Sequence, residues 1–196
     1  MQHHHAMSKT ISRRHFLSSL AVGLPLLACA PEVLASSLEA AASPAAASLS
    51  TRVLDFAHTH TGERLSVEYF SGGAYLPDAL STVNHFLRDF RTGEVHQIDA
   101  GLLDLLHSLT RLTDTSKPFQ VISGYRSPKT NVMLRQRSEG VAAGSLHMQG
   151  QAIDIRLADI PLAKLRNAAL NLQRGGVGYY PASDFVHVDT GRVRRW

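Results

Sequence analysis

Cysteine is almost missing from this chain: Cys29 is the only one in 196 residues. That excludes a disulfide framework and leaves at most one thiolate for a structural zinc site, which favours four protein ligands and sulfur. A metal here has to be held by histidine and carboxylate. Long apolar runs are lacking too: the run from Leu20 to Ala30 falls short of the roughly 20 residues that a membrane-crossing helix needs. Neither sign of charge dominates, with 20 lysines and arginines against 16 aspartates and glutamates. Apart from Arg192-Val193-Arg194-Arg195-Trp196, no basic stretch carries interleaved aromatics, so nucleic acid is not an expected partner. No internal repeat is present, which excludes a repeat array.

What is there falls into four parts. Residues 1–7 hold His3, His4 and His5 and read as a tag or a mis-assigned start. Residues 8–35 read as a twin-arginine signal peptide: Arg13 and Arg14 precede the apolar run, and Val33-Leu34-Ala35 offers small residues for cleavage ahead of Ser36. The competing reading is a lipobox at Leu26-Leu27-Ala28-Cys29, which would tether the protein through Cys29; Leu27 is bulky for that motif. Either way the protein is expected in the periplasm, touching membrane only through its signal or that lipid. Residues 36–50 are an Ala/Ser-rich linker. Residues 51–196 are long enough for one domain with its own core. Removing Lys9, Arg13, Arg14 and Glu32 leaves 17 basic and 15 acidic side chains, a nearly neutral mature protein, expected to be a monomer.

The periodicity of residues 51–196 predicts an α+β fold, a small antiparallel sheet backed by helices. Arg52–His60 and Arg64–Phe70 alternate around Thr61-Gly62-Glu63 and predict a hairpin. His58 and His60 share one face of it, read as an exposed polar face rather than a second metal pair. Apolar residues at helical spacing predict helices over Pro77–Arg91, from an Asp99 N-cap through Leu112, over Lys129–Ser138, and from Pro161 to Gly175-Gly176. Strands are expected at Phe119–Ser123, Ala152–Arg156, Val177–Tyr180 and Phe185–Asp189.

Two of those strands carry the chemistry. In Ala152-Ile153-Asp154-Ile155-Arg156, Asp154 faces opposite to Ile153 and Ile155, and in Phe185-Val186-His187-Val188-Asp189 the same alternation isolates His187. His147 stands in the polar loop Ser145-Leu146-His147-Met148-Gln149-Gly150. Two imidazoles and a carboxylate are the three protein ligands of a catalytic zinc, which keeps its fourth position for water. The expected cofactor is therefore one Zn2+ per chain on His147, Asp154 and His187. Such a site also needs a carboxylate to move the water proton. Asp189 shares the face of His187 and is the favoured base, with Asp184 the alternative and the loser serving as acceptor for an imidazole N–H. Arg126, just past a strand end, is a candidate clamp for a substrate carboxylate. Ser145 either donates to that carboxylate or caps the loop.

The pattern Ser145-x-His147-x-x-Gly150-x-Ala152-x-Asp154 followed by a strand histidine resembles the zinc D-alanyl-D-alanine peptidases, which share a fold with the Hedgehog signalling domain. Ile122-Ser123-Gly124-Tyr125-Arg126-Ser127 and Gly175-Gly176-Val177-Gly178-Tyr179-Tyr180-Pro181 extend the likeness. With the twin-arginine leader they resemble the MepK-type murein endopeptidases across nearly the whole mature chain. The resemblance implies zinc-dependent hydrolysis of peptide crosslinks between peptidoglycan stem peptides, in that subgroup between two diaminopimelate residues. It also supports Asp184, since an acidic residue three before the last histidine is the base in several relatives. The alternatives are a carboxypeptidase that trims stem peptides and a non-catalytic, zinc-stabilised wall-binding module.

Overall fold

Alternating apolar residues build the sheet that carries the site. The computed structural model describes residues 51–138 and 140–196; the readings of residues 1–50, the signal, Cys29 lipidation and the linker among them, lie outside the described residues. In chain order the elements are β1 (Arg52–His58), β2 (Arg64–Ser71), β3 (Ala74–Tyr75), α1 (Pro77–Phe86), α2 (Ala100–Thr113), β4 (Phe119–Ser123) and α3 (Pro128–Arg137). A short 3-10 turn at Leu146–Gln149 precedes β5 (Ala152–Arg156), α4 (Leu162–Leu172), β6 (Gly176–Tyr180), β7 (Phe185–Asp189) and β8 (Arg194–Arg195). All eight strands join one sheet in the order β3-β2-β1-β4-β5-β7-β6-β8.

The α+β class is as expected. The sheet is antiparallel except for the pairs β1·β4 and β6·β8, which the periodicity did not resolve. β3 and β8 are two-residue strands, too short to leave an alternating signature.

One face of the sheet is apolar. Leu54 and Phe56 of β1, Phe119 and Val121 of β4, Ile153 and Ile155 of β5, and Val186 and Val188 of β7 are all buried in the core. Leu102, Leu106 and Leu109 of α2 and Leu165 of α4 join them. Each such side chain contributes about 1.5–3 kcal/mol by leaving water. Asp99 caps α2 as predicted, its Oδ1 accepting from the Gly101 N–H at 2.8 Å. The opposite face of the same strands is left for Gln120, Asp154, Arg156, His187 and Asp189, two residues apart on each strand.

Two local expectations are corrected. The first helix ends at Phe86, not Arg91. Asp89 turns the chain there: its carboxylate accepts the N–H groups of Arg91 and Ser127, and Gly93 with φ +76° completes the turn. His58 is only 3% exposed. Alternation places it behind Leu54 and Phe56 on the core side of β1, with its ring edge-on to Phe86 and Phe90. Its Nδ1 accepts the backbone N–H groups of His60 and Thr61, and burial lowers it to about 4.

Candidate metal centre

Register brings the three predicted ligands together. Asp154 on β5 lies directly opposite His187 on β7, and Ala152 opposite Asp189. His147 arrives from the 3-10 turn, whose exit needs Gly150: it has φ +66°, and an added Cβ would lie 2.1 Å from the Gln97 carbonyl oxygen. The Gly150 carbonyl is itself held by the Asp99 N–H at 3.0 Å. His147 Nε2 lies 3.2 Å from Asp154 Oδ1 and 3.2 Å from His187 Nδ1, and His187 Nδ1 lies 2.9 Å from Asp154 Oδ1. All three residues are buried.

The outward nitrogens decide what faces inward. His147 Nδ1 is 2.7 Å from the Gly124 carbonyl, which can only accept, so Nδ1 carries the proton and Nε2 is bare. His187 Nε2 is 3.0 Å from Asp189 Oδ2, which leaves Nδ1 bare by the same logic. Two imidazole lone pairs and a carboxylate oxygen thus converge on one point, a donor set that suits a cation and repels without one. Burial pushes the Asp154 carboxyl up, but the two imidazoles outweigh it and hold it well below the usual range. Burial lowers His187, yet Asp154 and Asp189 on either side raise it overall. A cation at that point would answer the pull that Asp154 and Asp189 exert toward positive charge on His187.

Asp189 has neighbours unlike those expected of a base. It is fully buried. Its Oδ1 accepts from the N–H groups of Gly176 and Gly191, each at 2.9 Å, and from Arg194 Nη1 at 3.1 Å. Its Oδ2 accepts from Arg194 Nη2 at 2.7 Å besides the His187 imidazole. Burial raises its pKa, but His187, Gly176, Arg194 and Gly191 together hold it far below the usual range. Asp184, in contrast, has φ +54° at the entry to β7 and a side chain that is 62% exposed. It pairs with Arg156 Nη1 at 2.7 Å. Arg156 follows Asp154 by two residues on β5, so its side chain stands on the same sheet face as the predicted ligands. Arg156 and Asp184, however, line a cleft with Gln120 and Asp159 separate from the one that His147, Asp154 and His187 line.

Arg126 and Ser145 line the same cleft, of about 540 Å³, as the three predicted ligands. Arg126 Nη2 is 3.7 Å from Asp154 Oδ2, and its Nη1 is 3.5 Å from Asn131 Oδ1. Its buried Nε has no hydrogen-bond partner among the described residues, and burial lowers its pKa. The Ser145 hydroxyl does not cap the turn.

Sequence reasoning missed Arg194 and Trp196. Both come from the terminal basic run, which pairs with β6: Tyr179 N–H donates to the Trp196 carbonyl and Trp196 N–H to Val177. The signal was the alternation Gly176-x-Gly178. A Cβ on Gly176 would lie 2.4 Å from Asp189 Oδ2, and one on Gly178 would lie 2.7 Å from the Trp196 indole.

The chain is similar to known proteins over most of its length. The family model described as peptidoglycan L,D-endopeptidase MepK matches residues 46–196. The chain is 50% identical over 157 residues to the peptidoglycan L,D-endopeptidase MepK of Escherichia coli strain K12, covering 79% of this chain and 86% of the relative. The Shigella flexneri protein of that name matches to the same extent. The probable peptidoglycan L,D-endopeptidase MepK of Haemophilus influenzae is 45% identical over 146 residues, 74% of this chain and 78% of the relative.

Proposed function

The chain belongs to the peptidoglycan L,D-endopeptidase MepK family of M15 peptidases, and from that premise we propose that it hydrolyses peptide crosslinks between peptidoglycan stem peptides in the periplasm. The bond we assign is the 3-3 link between two diaminopimelate residues, supported by the L,D designation of its relatives. Export by the twin-arginine route is part of this reading and rests on Arg13 and Arg14.

The observation that carries the reading is the inward convergence of His147 Nε2, Asp154 Oδ1 and His187 Nδ1, each imidazole having its other nitrogen engaged. These three residues would hold one Zn2+, as nitrogen and oxygen donors with a free fourth position suit catalytic zinc. Bound there, zinc supplies a Lewis acid and lowers the pKa of a water to about 7. The rest falls to the chain. Asp189 keeps His187 in the Nε2–H tautomer and is thereby a positioning residue rather than the base, because both its oxygens are engaged. Asp184 takes the water proton and returns it to the leaving amine after parting from Arg156; its solvent exposure and its place in the turn that leads into β7, three residues before His187, support that role. Arg126, a half-buried guanidinium with only long contacts, pairs with a substrate carboxylate, and the uncommitted Ser145 hydroxyl donates to the same group.

Digestion of purified muropeptides, resolved by mass spectrometry with and without a chelator, tests the reading. The 3-3 dimers are expected to become monomers, with activity restored by zinc. Loss of only a terminal D-alanine would make the protein a carboxypeptidase. No cleavage by the folded, zinc-loaded protein would favour a wall-binding module.

A further inference from the structure

Tyr180 lines the same cleft as His147, Asp154 and His187, and its hydroxyl has no part in the chemistry assigned above. Tyr180 ends β6 directly opposite Phe185 of β7, and their rings stack with centroids 4.5 Å apart. Its oxygen accepts the indole N–H of Trp196 at 2.6 Å. An indole nitrogen can only donate, so the proton of Tyr180 has to point away from Trp196. A phenolic O–H lies close to its ring plane and has two favoured directions. The indole nitrogen sits on one side of the oxygen, and the proton is left the other directions. Among the described residues, no acceptor stands within hydrogen-bonding distance of that proton.

Trp196 is well placed to hold this direction. Its backbone pairs with β6 on both sides, through Tyr179 N–H at 3.1 Å and the Val177 carbonyl at 3.2 Å. The Arg194 guanidinium covers its ring at 4.9 Å, and the His187 ring lies 5.3 Å away. Gly178 leaves the space that the indole fills. The outcome is a half-buried donor turned away from the indole, with no acceptor among the described residues, on a side chain that lines the cleft.

We propose that Tyr180 donates its O–H to a carbonyl or carboxylate oxygen of the bound stem peptide, with the Trp196 indole N–H setting the direction. This rests on the reading of the cleft as a peptidase site. The test compares zinc-loaded full chains of wild type, Tyr180→Phe and Trp196→Phe on a purified 3-3 muropeptide dimer, and measures binding of the product monomer by calorimetry.

Tyr180→Phe is expected to lose about tenfold in kcat/KM, the scale of one hydrogen bond to a charged or developing charge, with zinc content and Tm unchanged. Trp196→Phe keeps a ring but loses the N–H and is expected to lose about threefold, as a freed rotor shares its donor with solvent. A loss in KM and product affinity places the acceptor in the bound peptide, and a loss confined to kcat places it on the reacting carbonyl. Wild-type turnover and product binding in Tyr180→Phe overturn the assignment, and a loss matched by falling zinc content or Tm makes the role structural. An unaffected Trp196→Phe overturns the part given to the indole. Should the wild type bind the monomer without cleaving the dimer, weaker binding by Tyr180→Phe keeps this inference while the peptidase reading falls. A wild type that neither binds nor cleaves removes both.

Discussion

Replacing Asp189 by asparagine exchanges one carboxylate oxygen for an NH2 group and separates two roles for that residue. The amide oxygen can keep the place of Oδ1, where it accepts from Gly176, Gly191 and Arg194. The amide nitrogen then takes the place of Oδ2 and meets two donors, the His187 Nε2–H and Arg194 Nη2. Flipping the amide only moves the conflict to the two backbone N–H groups. His187 relieves it by moving its proton to Nδ1, the atom that faces Asp154 and His147. A protonated nitrogen cannot bind a metal. Loss of such an outer carboxylate typically costs 10–100-fold in metal affinity, about 1.4–2.8 kcal/mol. The buried donors left without an acceptor add about 1–3 kcal/mol to the loss of fold stability. Zinc affinity, measured by competition with a chromophoric chelator at fixed pH, and denaturant unfolding of the metal-free protein read the two terms separately. Asp189→Asn with wild-type zinc affinity and almost no turnover would refute the positioning argument and restore Asp189 as the base.

Asp184→Asn should keep its zinc and lose about 10²–10⁴-fold in turnover, the usual contribution of a general base; near-normal turnover removes Asp184 from the reaction. His58 gives a pH signature away from the site. Its folded value of about 4 lies below the ordinary 6.5, so between those values the unfolded chain binds the extra proton. Unfolding free energy should therefore fall by about 3 kcal/mol as pH drops from about 6.5 to about 4. His58→Asn keeps an acceptor for the His60 and Thr61 N–H groups and should flatten that slope; an unchanged slope assigns it elsewhere. Gly124→Ala puts a methyl 2.6 Å from the Leu87 carbonyl oxygen, at a point where the Tyr125 N–H already binds that oxygen at 2.8 Å. Overpacking of about 1–3 kcal/mol is expected, with weaker zinc binding, because the Gly124 carbonyl anchors His147. Unaltered unfolding and metal titration would show that the strand end yields freely.

The face that carries Asp154 and His187 was legible because alternation in a strand assigns faces residue by residue: Ile153, Asp154 and Ile155, like Val186, His187 and Val188, reveal their directions without any tertiary contact. The same rule applied to His58 would have placed it with Leu54 and Phe56, but its polarity outweighed its position. The role of Asp189 was not legible. Sharing a face with His187 is compatible with a base and with an orienting carboxylate, and only the surrounding donors, Gly176, Gly191 and Arg194, distinguish them. Those donors come from β6, a turn and β8, segments brought together by pairings that periodicity does not encode. Arg194 and Trp196 were hidden for the same reason: an exposed basic run and a two-residue edge strand look alike until β6 supplies a partner.

Elemental analysis of the purified chain tests the central claim most directly, made alongside Asp154→Ala and His187→Ala with folding checked by circular dichroism. The account predicts one zinc per wild-type chain, and none in either folded variant, with dimer cleavage lost in step. A full complement of zinc in either variant would contradict it, because the ion would then lie somewhere other than the point on which Asp154, His147 and His187 converge.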